Sequence, residues 1–253
     1  MLRELRLIAL PGMPEVERGA ALDALLLAAI ARARQRLTGG DILVLAQKIV
    51  SKAEGRVVQL ACVTPSERAH TIAREADKDP RIVELMLRES RHVLRVKAGV
   101  IIVEHRLGFV MANAGIDQSN VPGAAEAVLL LPEDADASAR KLRDQLYECV
   151  GVKVGVLIID SFGRAWRNGV TGTAIGVAGV PALVDLRGHN DREGRALQVT
   201  QVAAADELAA AASLVMGQAD EGTPAVLVRG FVYAPREASV QELLRPDAED
   251  LFR

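Results

Sequence analysis

The sequence predicts an α+β fold in which helices mix with strands and some strands pair as antiparallel hairpins. Runs rich in leucine and β-branched residues alternate with segments whose apolar residues recur at helical spacing, which is typical of mixed folds. Three short apolar runs lie between His92 and Asn113, where Arg106-Leu107-Gly108 can turn a hairpin. The 253 residues are 50% hydrophobic and 25% charged, which fits one large domain or two small ones and excludes a disordered chain.

In the first half of the chain, turn and capping residues set the limits of the predicted elements. A Pro-Gly pair ends the first strand and a Gly-Gly pair ends the first helix, because glycine adopts left-handed backbone conformations at little cost. Two segments with Pro at the first helical position, TPSE and DP, begin two further helices. The predicted elements are a strand at 5–10, a helix at 20–36, a strand at 41–50, and helices capped by Thr64 and Asp79.

The second half of the chain repeats this mixture. A helix is predicted at 134–150, and the run VGVLIID at 154–160 predicts a buried strand that ends abruptly in polar residues. An Ala-rich helix at 200–216, closed by Gly217, lies between predicted strands at 181–186 and 224–229. One or two short helices follow Ser239.

Composition and charge exclude several classes of function. The formal net charge is −2 and aromatic residues make up 3%, so neither a basic surface nor a stacking platform for nucleic acid is expected. Two cysteines, Cys62 and Cys149, cannot form a disulfide framework. No apolar run reaches the about 20 residues that a membrane-spanning helix needs, and the first residues do not form a signal peptide, so a cytoplasmic protein is predicted.

Three polar segments interrupt the apolar pattern, and each has a functional and a structural interpretation. Cationic residues at 47–56, at the end of a predicted strand, suit a phosphate, although a solvated turn is favoured from these residues alone. Oxygen-bearing side chains at 113–120 suit a hard cation such as Mg²⁺, or they form a plain turn. Residues 216–222 are best explained as a capped helix end followed by an acidic turn.

A fourth segment, at 160–169, carries the clearest chemistry. Asp160 at the tip of a strand is followed by Ser161 and by two arginines, Arg164 and Arg167, which is a suitable set for holding a metal and neutralising a phosphoryl group. Glycines in the residues that follow would let a ligand approach the backbone closely. No Walker P-loop and no G-x-G-x-x-G fingerprint is present. The pattern alone therefore indicates a metal-dependent phosphate or nucleotide enzyme of another type.

Several longer segments, taken in order along the chain, are more specific than these patterns. They are LPGMPEVERG, AQKIVSKAEGR, PSERA, NAGIDQSN, LLLPEDADASARKLR, DSFGRAWRNGVTGTAIGVAG, DLRGHNDREGRALQVT and LVMGQADEGTPAVLVRG. Together they resemble the coenzyme F-420:L-glutamate ligase family, from near the N-terminus to about Arg229. The resemblance implies a two-part α+β ligase fold over residues 1–253, with two interleaved subdomains in an intertwined homodimer. The chain resembles the stand-alone form of the family, which has no C-terminal flavin-reductase-like domain.

The resemblance also implies an activity. Members of the family add L-glutamate, first by an amide bond and then by γ-linkage, to the glutamate-free deazaflavin precursor of coenzyme F-420. GTP is the co-substrate, an acyl phosphate is the intermediate, and GDP and phosphate are released. The implied cofactors are Mg²⁺ or Mn²⁺, as two ions, with K⁺ as a further candidate. Two alternatives stay open: a metal-dependent nucleotide phosphohydrolase, and a non-catalytic nucleotide-binding protein.

Site residues follow from the resemblance position by position. The implied metal ligands are Asp117, Asp160, Ser161 and Gln218, where Gln218 occupies a position at which some relatives have Glu. The implied catalytic residues are Asp117, Asp160, Arg164 and Arg167. The implied nucleotide-binding residues are Leu10, Pro11, Gly12, Met13, Gln47, Lys48, Lys52, Asn120, Met216, Gly217, Gln218, Ala219, Asp220, Glu221, Gly222 and Thr223.

Overall fold

The computed structural model of the chain describes residues 4–119 and 126–250, and its elements confirm the predicted mixture of helices and strands. Within these residues the strands are β1 (Arg6–Ala9), β2 (Ile42–Ala46), β3 (Val57–Gln59), β4 (Ser90–Lys97), β5 (Val100–His105), β6 (Val110–Ala112), β7 (Ala127–Leu129), β8 (Gly155–Arg164), β9 (Arg167–Ala178), β10 (Val184–Asp185), β11 (Gln201–Val202) and β12 (Ala225–Arg229). The α-helices are α1 (Leu22–Arg32), α2 (Gln47–Ala53), α3 (Glu67–Ala76), α4 (Pro80–Arg88), α5 (Ala135–Val150) and α6 (Ala204–Met216). Short 3-10 helices at Val240–Leu243 and Asp247–Glu249 confirm the helical turns predicted after Ser239.

A five-stranded sheet forms the centre of the fold, in the order β1-β12-β2-β8-β9. β12 comes from the far end of the chain, lies between β1 and β2, and is antiparallel to both. β2 and β8 are parallel, and Ala46 pairs with Ile159 at their ends. Because parallel strands present their carboxyl ends at one edge of a sheet, the residues that follow Ala46 and Ile159 emerge side by side.

Helices cover both faces of this sheet. α1 and α5 bury Leu26, Ile30 and Leu142 on one face, and α6 buries Leu208 and Ala212 on the other. Each large apolar side chain removed from water contributes about 1.5–3 kcal/mol, so the helices stabilise a separate hydrophobic core on each face of the sheet. Strands buried on both sides also explain why the apolar runs in the sequence do not alternate with polar residues. Among the helices described, none is long and apolar enough to cross a membrane.

Two glycines in β9 let these helices approach the sheet. A Cβ atom on Gly172 would lie 2.4 Å from the carbonyl oxygen of Ala209 in α6. A Cβ atom on Gly176 would lie 2.4 Å from the carbonyl oxygen of Ala135 in α5. The interpretation of these two glycines as sites of ligand approach is therefore wrong, since they permit close packing between helix and strand.

A β-bulge in β9 lies next to Asp160. Ile158 pairs with Gly176 and Ile159 pairs with Ala174, so one extra residue of β9 lies between these pairs. The backbone N–H of Ala174 donates to Asp206 at 2.9 Å, which satisfies a group that the bulge removes from the regular ladder. The bulge is thereby fixed from the first turn of α6.

A second group of elements packs beside the central sheet. β4, β5 and β6 form a three-stranded antiparallel sheet, and the turn between β5 and β6 confirms the hairpin predicted at Arg106-Leu107-Gly108. α3 and α4 pack on this sheet, with Val83 and Val103 in the shared core. β3 and β7 form a separate two-stranded ladder.

A largely buried ionic cluster joins this second group to the rest of the molecule. Glu89, just after α4, accepts hydrogen bonds from Arg56 at 3.0 Å and from Arg106 at 3.0 Å. Arg56 also donates to the carbonyl oxygen of Leu131 at 2.8 Å, and the buried His105 ring lies 3.5 Å from Glu89. Burial raises the pKa of Glu89, but the His105 ring and the charges of Arg56 and Arg106 outweigh it and lower the pKa to about 2. Glu89 is therefore ionised throughout the neutral range and connects several segments at once.

Several predicted boundaries differ from the structure, as for the helices predicted at 20–36 and 200–216, which are Leu22–Arg32 and Ala204–Met216, and the strand predicted at 181–186, which is Val184–Asp185. The strand predicted at 41–50 ends at Ala46, where α2 begins. Ser66, not Thr64, caps α3 with its side chain. β8 does not stop at its first polar residue but continues to Arg164, because the polar part of the strand pairs with β9 in an exposed hairpin.

Candidate active site

A cleft of about 700 Å³ opens at the edge of the central sheet where β2 and the buried part of β8 end. Its walls come from distant parts of the chain, within residues 13–16, 46–52, 111–119, 160–163 and 216–224, together with Val170 of β9. This volume is in the range of small-molecule and cofactor sites. The sheet topology therefore gathers the four polar segments of the sequence at one place.

Helix α2 brings two lysines to the cleft. It begins at Gln47, directly after β2, so its side chains start at the edge of the sheet. Lys48 and Lys52 are four residues apart, lie on the same face of the helix, and both line the cleft. Gln47 is buried and accepts a hydrogen bond from Ser51 at 2.8 Å. The interpretation of these residues as a solvated turn is wrong.

A tight turn places Asp117 at the cleft. Asn113, Ala114 and Gly115 all have positive φ, at 53°, 53° and 65°. The Asn113 side chain fixes the turn by accepting a hydrogen bond from a β5 backbone N–H at 3.1 Å. Asp117 then exchanges both backbone hydrogen bonds with Leu129 of β7, at 3.0 and 2.8 Å. Its backbone is thus fixed by groups other than its carboxylate.

Both carboxylate oxygens of Asp117 have partners. Lys48 Nζ lies 2.6 Å from Oδ2, and the Ser119 backbone N–H donates to Oδ1 at 2.6 Å. Lys48 also donates to the Ser119 hydroxyl and, at 3.4 Å, to the Ser119 carbonyl oxygen. Burial raises the pKa of Asp117, but Lys48 and Ser119 outweigh it and hold the pKa below its usual range. Asp117 is therefore an ionised carboxylate paired with an internal cation.

Asp160 lies where β8 leaves the core. In the part of the chain that the structure describes, no cationic side chain lies within ion-pair distance of its carboxylate. The pKa of Asp160 is raised to about 6. Burial is the largest cause and the negative charge of Asp117 adds to it, whereas the Ser161 backbone N–H and the charge of Lys48 act in the opposite direction. The carboxylate is therefore electrostatically unsatisfied, and a cation placed beside it would favour its ionised form.

The loop after α6 supplies further polar groups. Ser161 donates from its hydroxyl to the Gln218 side-chain oxygen at 2.8 Å, which joins β8 to this loop. Glu221 accepts a hydrogen bond from the Ala219 backbone N–H at 2.9 Å, and backbone N–H groups in the loop hold its pKa below the usual range. Gly217 has a φ of 77°, and a Cβ atom there would lie 2.0 Å from the Glu221 carboxyl. Backbone N–H groups that converge in this way form an anion-binding concavity.

The cleft brings together most of the predicted site residues. Those that line it are Met13, Lys48, Lys52, Asp117, Asp160, Ser161 and every residue from Met216 to Thr223. Leu10 and Gln47 are buried, and Pro11 and Gly12 are outside the lining. Asn120 lies outside the described residues. The binding and metal-ligating roles of all these residues stay predictions.

The two predicted catalytic arginines lie elsewhere. Arg164 and Arg167 are exposed at the tip of the β8–β9 hairpin, and neither lines the cleft of this chain. Trp166 between them is 88% exposed and has a φ of 65°. Arg164 donates only weakly, at 3.4 Å, to the Asn168 carbonyl oxygen. Their catalytic role stays a prediction, and among residues 4–119 and 126–250 of this chain neither makes a contact that supports it.

Sequence reasoning missed two residues of this cleft. Glu15 pairs with Lys52, and Ser119 holds both Lys48 and Asp117. Ser119 lies in the NAGIDQSN segment beside the predicted site residue Asp117, and this position could have indicated a role in the cleft. Nothing in the sequence connects Glu15 to α2.

The donor atoms at the cleft fit a hard divalent cation. In residues 4–119 and 126–250 there is no cluster of three or more His, Cys, Asp or Glu residues that could hold a metal unaided. Oxygen atoms are nevertheless the metal-coordinating atoms of the predicted ligands Asp117, Asp160, Ser161 and Gln218. Mg²⁺ usually combines one or two carboxylates with waters and phosphate oxygens. The largely buried carboxylate of Asp160, which has no ion pair among the described residues, is the feature that fits a cation most directly.

Comparison with known proteins gives consistent matches. The family model described as F420-0:Gamma-glutamyl ligase matches residues 12–230. The coenzyme F420:L-glutamate ligase of Methanothermobacter thermautotrophicus is 47% identical over 249 residues, which covers 98% of each chain. The protein of that name from Methanopyrus kandleri is 51% identical, over 86% of this chain and 87% of its own length. The one from Archaeoglobus fulgidus is 43% identical, over 96% of this chain and 94% of its own length.

Proposed function

This chain belongs to the F420-0:gamma-glutamyl ligase family, and we propose from that membership and from the cleft that it joins L-glutamate to the glutamate-free F420 precursor at the expense of GTP. The observation that carries the proposal is the meeting of Asp117 and Asp160 in one cleft with two lysines and the 216–224 loop. These groups come from parts of the chain that the family match covers. They have the charges that a metal-bound nucleotide requires.

The proposed reaction has two steps. The γ-phosphoryl group of GTP is transferred to an oxygen of the acceptor's carboxylate, so that the bond to GDP breaks and an acyl phosphate forms. The amine of glutamate then attacks the acyl carbon, the bond to phosphate breaks, and an amide forms with loss of one proton. No protein nucleophile takes part, because the acyl phosphate is itself the activated group.

The cleft supplies charge and position for these steps. A bound Mg²⁺ or Mn²⁺ would neutralise charge on the phosphates. Asp117, Asp160, Ser161 and Gln218 would hold the ion, and K⁺ is a further candidate at the same cleft. Lys48 and Lys52 offer ammonium groups to phosphate oxygens from one face of α2. In the 216–224 loop, backbone N–H groups bind the Glu221 carboxylate, which supports an anion-binding role for this loop.

The test is the dependence of GTP turnover on both substrates. Purified protein with Mn²⁺ should release GDP only when the glutamate-free acceptor and glutamate are both present, and intact mass should show the acceptor with glutamyl residues added. A nucleotide phosphohydrolase would release GDP from GTP alone. A non-catalytic binding protein would retain GTP and give no product in any mixture.

We also propose that two copies of the chain associate, as the resemblance implies. The support in this chain is the β8–β9 hairpin, on which Trp166 and Val170 are 88% and 55% exposed. Large apolar side chains on a projecting hairpin are typical of interfaces. Light scattering should therefore give twice the 27.0 kDa mass of the chain, and Trp166→Ser should shift the protein toward the monomer. A mass of 27.0 kDa at all concentrations would contradict this proposal.

A further inference from the structure

Lys48 occupies the side of Asp117 that a divalent cation would need. Its Nζ lies 2.6 Å from Oδ2, and the other oxygen, Oδ1, is already bonded to the Ser119 backbone N–H. The Ser119 hydroxyl and carbonyl oxygen also accept from the same ammonium group. A divalent ion that coordinates Oδ2 therefore meets a positive charge on the same atom, and the two cations repel each other.

The charge of Lys48 also reaches the second carboxylate of the cleft. Asp160 has no direct ion pair in the residues described, and Lys48 is the cationic side chain that lowers its pKa. Lys52, one turn further along α2, pairs instead with Glu15. Lys48 is thus the cation that pairs directly with Asp117, and its charge also acts on Asp160 from a longer distance.

Lys48 is able to leave Asp117 without disturbing the fold. Its backbone is fixed in α2, its side chain is 27% exposed, and four methylene groups allow the ammonium to swing within the cleft. A lysine ammonium binds phosphate oxygens as a mobile point charge. A nucleotide phosphate in the cleft offers it an alternative to the carboxylate.

Given the proposed function, we propose that Lys48 is an internal counter-ion that holds Asp117 in the empty cleft and moves to the nucleotide phosphates when the nucleotide binds. Asp117 then becomes available to the divalent cation. Nucleotide and metal therefore bind with positive coupling, and each strengthens the other by the same factor. Metal alone binds weakly because it must first displace the ammonium.

The experiment measures Mn²⁺ binding without catalysis. Electron paramagnetic resonance of free Mn²⁺ gives the dissociation constant for the wild-type protein and for Lys48→Met, each with and without GDP. Without GDP, Lys48→Met is expected to bind Mn²⁺ roughly tenfold more tightly than the wild-type protein. With GDP, Mn²⁺ binding to the wild-type protein should strengthen, so that the advantage of the variant shrinks or disappears.

Lys52→Met is the matched control, because it removes the same charge from the same helix without a contact to Asp117. Without GDP, it should change Mn²⁺ affinity much less than Lys48→Met does. Lys48→Gln should reproduce the effect of Lys48→Met if both variants melt as the wild-type protein does. Equal effects of Lys48→Met and Lys52→Met, or no tighter binding in Lys48→Met, would overturn the counter-ion role while leaving the proposed ligase intact. If no protein binds Mn²⁺ even with GDP, the proposed metal site fails and the counter-ion role fails with it.

Discussion

Replacing either Asp117 or Asp160 with asparagine is expected to lower the rate of glutamate ligation roughly a hundredfold or more. Each change keeps the size of the side chain and removes one negative charge from the cleft where the two carboxylates meet. Both variants should fold, because the backbone bonds between Asp117 and Leu129 do not involve the carboxylate, and because burial of the Asp160 charge is unfavourable and raises its pKa. Initial rates of GDP release, with both substrates present, give the measurement.

The double variant provides a sharper form of this test. If both carboxylates hold one metal–nucleotide unit, the double change should be little worse than either single change. Asp185→Asn is a suitable control, since this carboxylate pairs with Arg187 outside the cleft. Near-normal turnover in Asp117→Asn would mean that Asp117 only shapes its turn, for which asparagine is equally suitable.

Replacing Glu89 with glutamine is expected to lower the free energy of unfolding by about 3–5 kcal/mol, because it leaves Arg56 and Arg106 without their shared carboxylate in a largely buried position. Glu133→Gln is the matched control. Glu133 contacts the same Arg56 at 3.3 Å, but its side chain is 77% exposed, so its loss should cost less than about 1 kcal/mol. Urea unfolding at pH 7 measures both effects.

The pH dependence of this difference follows from the lowered pKa of Glu89. The pKa falls from 4.5 in the unfolded chain to about 2 in the folded protein, so the carboxylate stabilises the fold fully above about pH 5. This contribution decreases as the pH falls from there toward 2, where Glu89 takes up a proton in both states. The difference in free energy of unfolding between the wild-type protein and Glu89→Gln should therefore be constant near neutral pH and should decrease as the solution becomes acidic. Equal losses for Glu89→Gln and Glu133→Gln would show that the cluster does not carry this stability.

The sequence was sufficient for the class of fold and for the segments of the site, but not for their boundaries. The apolar residues of β2 continue into α2 with only Gln47 and Lys48 between them, so hydrophobicity alone could not show that the strand ends at Ala46. The polar end of β8 could not be recognised as a strand, since its pairing with β9 takes place away from the core and leaves no apolar pattern.

The contacts inside the cleft depend on tertiary structure that no local pattern contains. Asp117 and Asp160 are far apart in the chain, and they meet because Asp117 is bonded to β7 while Asp160 follows the buried part of β8. The ion pair between Lys48 and Asp117 requires α2 to start at the edge of the sheet, which the predicted strand at 41–50 did not allow. The role of glycine in β9 was likewise assigned to a ligand, because a sequence does not show that a helix carbonyl lies 2.4 Å from the missing Cβ.

The position of β12 has a consequence for synthesis of the chain on the ribosome. β1 and β2 are made early, but the strand that separates them in the sheet ends only at Arg229. Until that residue has emerged, β1 has no partner in the sheet and one edge of β2 is open, so both expose unpaired N–H and C=O groups. The central sheet must therefore be completed after translation of nearly the whole chain, and fragments that end before β12 should aggregate rather than fold.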